Sequence, residues 1–173
     1  MLSSARLFLR PFQVRDINDT YLGWLNDPVV MRFSNQRFRE HTGATALAYL
    51  ESFSGTANSF LLIEQRLNLR SIGTATVYRS LQHGTADIGL MVGDRQCWGK
   101  GYGREAWESL LEALLLEPGM RKVTGGTARP NLAMARIMEY SGMELEAVRG
   151  RQEIIEGQAV DLLYYARFAR PAS

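Results

Sequence analysis

The 173-residue chain has a formal net charge of +2, with 46% apolar and 22% charged residues. That balance suits one folded domain over residues 1–173 and excludes a disordered chain. The arginines are scattered, so no basic stripe points to nucleic acid, and no apolar run approaches the roughly 20 residues that span a bilayer. The one cysteine, Cys97, and two distant histidines leave no internal disulfide and no metal-ligand set. The start, Met1-Leu2-Ser3-Ser4, lacks the apolar core of a secretory leader, so a cytoplasmic protein is expected.

Arg6 to Arg10 alternates polar and apolar residues before Pro11 and predicts a first strand. Asp16 is placed to cap a helix with Ile17, Tyr21, Leu22, Trp24 and Leu25 on one stripe. Asn26-Asp27-Pro28 predicts a break and a new helix, because proline is tolerated at a first helical position. Thr42 or Thr45 opens another, carrying Leu47, Leu50 and Phe53. Phe60 to Ile63 and Ile72 to Tyr78 read as antiparallel strands joined through Leu67-Asn68-Leu69-Arg70, and Ala86 to Val92 as a further strand. Gly103 to Leu116 is strongly amphipathic, with Ala106, Trp107, Leu110, Leu111, Leu114 and Leu115 on the apolar side. Lys122 to Thr127 predicts a strand, and Asn131 to Tyr140 a helix ended by Gly142. Leu145 to Ile155 and Gln158 to Phe168 predict a hairpin turning at Glu156-Gly157. The expected fold is α/β (α+β), a mixed and mostly antiparallel sheet of about seven strands flanked by helices.

The most informative stretch is strand, glycine-rich turn, helix: Ala86 to Val92, then Gly93 to Lys100, then the helix from Gly101. First-turn amides of a helix have no internal partner and favour negative charge, and glycines let the backbone approach a diphosphate. Gly99, Gly101 and Gly103 alternate, and Arg95, Lys100 and Arg104 add positive charge. A glycine-rich loop that only shapes a tight turn is the alternative. A nicotinamide site is disfavoured, since its glycine motif follows an early strand of a parallel series. A Walker-type loop is absent, since no Gly-Lys-Ser/Thr occurs.

The run Gln96-Cys97-Trp98-Gly99-Lys100-Gly101 resembles the Gln/Arg-x-x-Gly-x-Gly/Ala motif of the GNAT superfamily of acetyltransferases. The stretch Trp98 to Ala106 is similar to the branch that holds ribosomal-protein N-terminal acetyltransferases and acetyltransferases of nucleotide-linked amino sugars. Leu9-Arg10-Pro11 and the segment Asn131 to Met143 extend the resemblance over nearly the whole chain. It implies a sheet splayed beyond the glycine turn, with acetyl-coenzyme A as co-substrate and no metal. The pantetheine arm would pair with backbone of Met91 and Val92. Gln96, Gly99, Lys100, Gly101, Tyr102, Gly103 and Arg104 would surround the pyrophosphate, with Asn131 and Arg136 nearby. Asn131 also reads as a plain N-cap.

Amide formation from a thioester needs a neutral amine and a proton for the departing thiol. Asp87 stands where relatives of this branch carry a glutamate, which makes it the expected base, acting through water. The tyrosine that relatives carry seven residues after the helix asparagine is Met138 here, which leaves Ser141 and Tyr140 as weaker substitutes; Ser141 lies nearer the required face. A covalent role for Cys97 is rejected, because the resemblance implies direct transfer. Trp24 and Arg37 are expected at the acceptor, with Arg32, Arg37 and Arg39 placed to meet a nucleotide diphosphate. Three readings stand: an enzyme acting on a small-molecule amine, foremost a nucleotide-linked amino sugar; a protein N-terminal acetyltransferase; and a noncatalytic acyl-coenzyme-A-binding module. A closed cleft favours the first and an open groove the second. A homodimer is compatible with each.

Overall fold

A central sheet of eight strands, with helices on both faces, organises the computed structural model, which describes residues 1–169. In chain order the strands are β1 (Leu2–Ser3), β2 (Leu7–Pro11), β3 (Ser59–Gln65), β4 (Ser71–Ser80), β5 (Thr85–Val92), β6 (Lys122–Ala128), β7 (Glu144–Ile155) and β8 (Gln158–Phe168). The helices are α1 (Asp19–Leu25), α2 (Gly43–Glu51), α3 (Tyr102–Leu115) and α4 (Leu132–Tyr140). Spatial order is β1-β2-β3-β4-β5-β6-β8-β7. Every neighbouring pair is antiparallel except β5 with β6.

The predicted elements recur, with differences between β2 and β3. Asp16 does not cap α1. Its carboxylate is 8% exposed and accepts from both Nη atoms of Arg10, while Asn18 caps the helix through the Tyr21 amide. No α-helix starts at Pro28. Asp27 instead accepts from the Val29 amide, and the chain runs through turns to a short 3-10 segment at Asn35–Phe38. Thr42 and Thr45 together form the capping box of α2, each side chain meeting the other's amide. The eighth strand is the two-residue β1, too short for a period-2 signal.

The sheet separates two apolar cores. Trp107, Leu110, Leu111 and Leu114 of α3 and Met138 of α4 pack with Ala86 and Ile88 on one face. Phe12, Tyr21, Trp24, Ala46, Phe60 and Leu62 form the other. Within the second core the rings of Phe12 and Phe60 stack at 4.4 Å between centroids. Aromatic pairs of this kind contribute beyond the area they bury.

The sheet divides at its one parallel junction. β5 and β6 pair only at Thr85↔Lys122, Ala86↔Val123 and Asp87↔Thr124. Yet β5 stays paired with β4 through Val92, and β6 with β8 through Ala128. From Ile88 onward the two strands therefore diverge and leave a V, as the resemblance implied.

Candidate functional site

The glycine turn sits at the mouth of the V. Gly99 and Gly101 have φ of 71° and 81°, left-handed values that favour glycine, and Gly101 is the N-cap of α3. Glu105 is the first residue to return a hydrogen bond, from its amide to the Gly101 carbonyl at 3.0 Å. The amides of Gly99 to Arg104 have no partner among the described residues. A fourteen-residue helix directs its positive end at the same spot.

The flanking side chains hold this turn in place. Arg6 donates Nη1 to the Lys100 carbonyl at 3.0 Å, pairs with Glu105 at 2.6 Å and lies over the Tyr102 ring. Gly103 lets α3 approach its neighbours, since a Cβ there would stand 3.3 Å from Val92 and 3.5 Å from Ile137. Lys100 is exposed and Arg136 is exposed, each without an ion pair among the described residues. Arg104 pairs with Glu108 and lies over Tyr140, and Gln96 accepts from Arg70 at 3.4 Å. Asn131 caps α4 through the Met134 amide.

Alternate residues of a strand turn their backbone groups to the same neighbour. The Met91 carbonyl faces β4, where a Cβ on Gly73 would collide with it. The Ala86 carbonyl faces β6 and accepts from Thr124 at 3.3 Å. Leu90 and Val92 therefore share the open side, and the Val92 carbonyl already accepts the Trp98 indole N–H at 2.7 Å. This corrects the backbone role expected of Met91, whose side chain instead lines a cavity on the α1/α2 face. Leu90 was missed, because parity along β5 depends on which strand lies on each side.

Asp87 sits at the vertex of the V, half-buried, with Thr124 Oγ1 donating to its Oδ2 at 2.6 Å. Burial pushes its pKa up, and the Thr124 hydrogen bond only partly offsets that. Its side chain shares the acceptor face with Gly89 and Met91, about 7 Å along the strand from Gly89, so a proton would reach it through water.

Ser141 lies at the other end of α4. It is 6% exposed, and its hydroxyl donates to the Ile137 carbonyl at 2.7 Å while Arg167 holds its own carbonyl. Its proton is committed within the helix end, which gives it a structural role. Met138 is fully buried, and Tyr140 is exposed with its ring under Arg104. The Cys97 thiol is buried, and burial together with Asp94 raises its pKa, which suits neither a nucleophile nor a metal ligand. No group of metal-ligating side chains occurs among the described residues.

The predicted acceptor residues are placed differently from the expectation. Trp24 is core: its indole lies against Gly93, where a Cβ would collide with it. Arg37 donates Nη1 to the Ser34 carbonyl and Nη2 to the Ile154 carbonyl, both at 2.7 Å, and lies over Phe38. Arg32 pairs with Glu156, and Asn35 donates to Glu153. The 32–37 segment is thus tied to the tip of the β7–β8 hairpin. Glu156 and Gly157 both have positive φ at that tip. A bulge in β7 at Arg149/Glu153, where the Arg151 amide binds Asp161, bends the strand below it.

A cavity of about 340 Å³ lies over β4 and β5, with Ser34 and Gln36 of the tied segment in its lining. Tyr21, Tyr49, Phe60, Thr74, Gly89 and Met91 form its inner surface, while Gln36, Arg39, Glu40 and His41 lie toward its rim. Sequence reasoning had assigned Tyr21 to a core stripe, and helical periodicity alone does not distinguish the two roles.

The chain matches the Acetyltransferase (GNAT) domain family over residues 6–144. Among curated proteins none matches it. Solved structures that share the fold include a GNAT-family acetyltransferase from Bacillus anthracis at 20% identity and TM-score 0.82, covering 97% of this chain and 98% of that one. Another is spermidine N-acetyltransferase from Vibrio cholerae in complex with CoA and spermine, at 17% identity and TM-score 0.83, covering 96% and 97%. A third is the ribosomal L7/L12 alpha-N-protein acetyltransferase RimL in complex with coenzyme A, at 14% identity and TM-score 0.82, covering 95% of each chain.

Proposed function

Because the chain belongs to the GNAT acetyltransferase family, we propose that it moves an acetyl group from acetyl-coenzyme A directly to the primary amine of a small molecule. The observation that carries the small-molecule reading is the bridge from Asn35 and Arg37 to Glu153 and Ile154. It holds in place the segment whose Ser34 and Gln36 line a compact cavity, a size that suits a small molecule better than a peptide. Spermine and a ribosomal protein belong to the solved structures named above and do not identify this chain's acceptor.

The residues at the mouth of the V fit the co-substrate. The unpartnered amides of Gly99 to Arg104 and the Lys100 charge would hold its pyrophosphate. Tyr102 would serve by stacking under Arg6, and Arg136 is free to meet a phosphate. The open backbone of Leu90 and Val92 would pair with the pantetheine arm as an added strand does. When bound, acetyl-coenzyme A supplies an acyl thioester. Asp87 takes the amine proton through water, and its raised pKa makes it a better base than an exposed aspartate. With Met138 buried, the position that relatives fill with a tyrosine offers no hydroxyl to the departing sulfur. Positioning and backbone polarity then carry the acceleration.

Arg32 and Arg37 spend their guanidinium groups on the hairpin, which leaves Arg39 alone at the cavity to meet the diphosphate of a nucleotide-linked amino sugar. The test is release of free coenzyme A with a panel of primary amines, amino sugars, polyamines and short peptides. Turnover confined to peptides with free N-termini would overturn the small-molecule reading. Cofactor binding with no turnover of any amine would favour a noncatalytic module.

A further inference from the structure

The acceptor cavity is more informative about chemistry than about size alone. Its volume, about 340 Å³, lies near the small end of ligand sites. Its inner wall is Tyr21, Tyr49, Phe60 and Met91, and the rings are fixed by mutual contact. Tyr49 and Phe60 meet edge-on at 5.2 Å, and Phe12 tilts against Tyr21 at 4.8 Å. Gly89 forms the floor, where any Cβ would strike the Thr76 hydroxyl, so the floor has no room to be filled by a side chain.

Two polar groups inside this wall lack partners. Tyr21 is 4% exposed and Thr74 is 6% exposed, both line the cavity, and neither hydroxyl has a hydrogen-bond partner among the described residues. A hydroxyl that opens into a cavity without a protein partner is available to meet a ligand there. Burial raises the Tyr21 pKa to about 12, so the phenol stays a donor across ordinary pH. Tyr49 differs, since its hydroxyl is bonded to Tyr78 at 2.9 Å.

The formal charge on the lining is sparse. Glu40 is its one carboxylate and Arg39 its one guanidinium, adjacent in sequence. A polyamine needs several carboxylates along its length, and a nucleoside diphosphate needs several cations. The cavity offers neither.

We propose that the acceptor is a primary amine on a compact, largely aromatic or apolar body, carrying one neutral hydrogen-bonding group that meets Tyr21. The amine end would lie toward Gly89, Leu90 and the V, with the body between Tyr21, Tyr49 and Phe60. This inference rests on the acetyl-transfer reading above and names the substrate class of the same site.

The experiment measures coenzyme A release with 2-phenylethylamine, tyramine, spermidine and a UDP-linked amino sugar. In parallel, calorimetry follows 2-phenylethylamine binding to the coenzyme-A-loaded protein. The kcat/KM for the two arylalkylamines is expected to exceed the others by at least about tenfold. Tyr21→Phe should raise the KM for tyramine about tenfold relative to that for 2-phenylethylamine, the loss of one buried hydrogen bond. Preferred turnover of spermidine or the UDP-linked sugar overturns the substrate class and leaves acetyl transfer standing. Binding of 2-phenylethylamine with no turnover of any amine supports the pocket chemistry and overturns the transferase reading. Absence of both binding and turnover of the arylalkylamines overturns the inference, as does a Tyr21→Phe enzyme that still distinguishes the two amines as the parent does.

Discussion

Thr124 donates its hydroxyl to the Asp87 carboxylate at 2.6 Å across the last rung of the β5–β6 ladder. The contact therefore stands where the sheet divides, and it partly offsets the upward push that burial gives the Asp87 pKa. Thr124→Val removes the donor and keeps the shape. The Asp87 pKa should then rise further, and the acidic limb of the kcat–pH profile should move to higher pH, with the high-pH plateau largely retained. Asp87→Asn should remove that limb and lower kcat at neutral pH by about 10²-fold or more. A Thr124→Val profile superimposable on the parent's would separate Asp87 from proton transfer.

The same carboxylate links function to stability. Its folded pKa lies above the unfolded value, so the folded state holds the proton more tightly. The resulting stabilisation is present below the unfolded pKa and is lost as pH rises through the folded one. Above the folded pKa the ionised group therefore weakens the fold. Asp87→Asn keeps an acceptor for Thr124 without the charge. Its Tm at pH 7 should equal or exceed the parent's, with the difference shrinking as both are acidified. Thermal scans across pH check this, and a large Tm loss at pH 7 would count against it.

Gly101 has a left-handed φ of 81° at the start of α3. Gly101→Val would strain that cap by about 1–2 kcal/mol and put a branched side chain among the unpartnered amides. Coenzyme A affinity should fall at least about 100-fold if several phosphate contacts are lost together. Calorimetry on protein shown to be folded by its Tm is the check, and ordinary affinity would move the pyrophosphate elsewhere.

What the sequence made legible was local. The amphipathic α3, its glycine turn and the Glu156-Gly157 hairpin turn each depend on residues within a few positions of one another. Asp87 was placed through family resemblance, and the structure adds the burial and the Thr124 partner. The failures involve partners far along the chain. Arg37 meets Ile154 across 117 residues, and no local pattern marks a guanidinium for a distant carbonyl. Arg10 is 54 residues from Glu64 and claims Asp16 as well, which removes Asp16 from helix capping. Met91 was given the role of Leu90 because one step along a strand reverses the direction of every backbone group.

Trp24 and Gly93 couple the aromatic core to the start of the glycine turn. A Cβ at Gly93 would collide with the Trp24 indole, which is 8% exposed and has little room to move. Gly93→Ala should destabilise by about 1–3 kcal/mol through overpacking, read as a fall in Tm. Trp24→Ala should cost about 3–5 kcal/mol. In the double variant the two losses should not add, because removing the indole removes the clash. Simple additivity would deny the contact.

Arg37 gives the sharpest distinction between the sequence reading and the structural one. A phosphate ligand would hold its guanidinium toward the acceptor, yet its Nη atoms already serve the Ser34 and Ile154 carbonyls. Arg37→Ala should therefore loosen the segment that carries Ser34 and Gln36 into the cavity lining rather than remove a phosphate contact. The KM should rise about threefold to tenfold for a phosphate-free amine and for a nucleotide-linked one alike, the loss of about one charge-assisted hydrogen bond at a half-buried site. Arg32→Ala should do less, because Arg32 and Glu156 are exposed by 48% and 66% and exposed pairs contribute about 0–1 kcal/mol. Steady-state kinetics on both acceptor types decides the matter. A KM increase confined to the nucleotide-linked acceptor would return Arg37 to the phosphate and make the hairpin contact secondary.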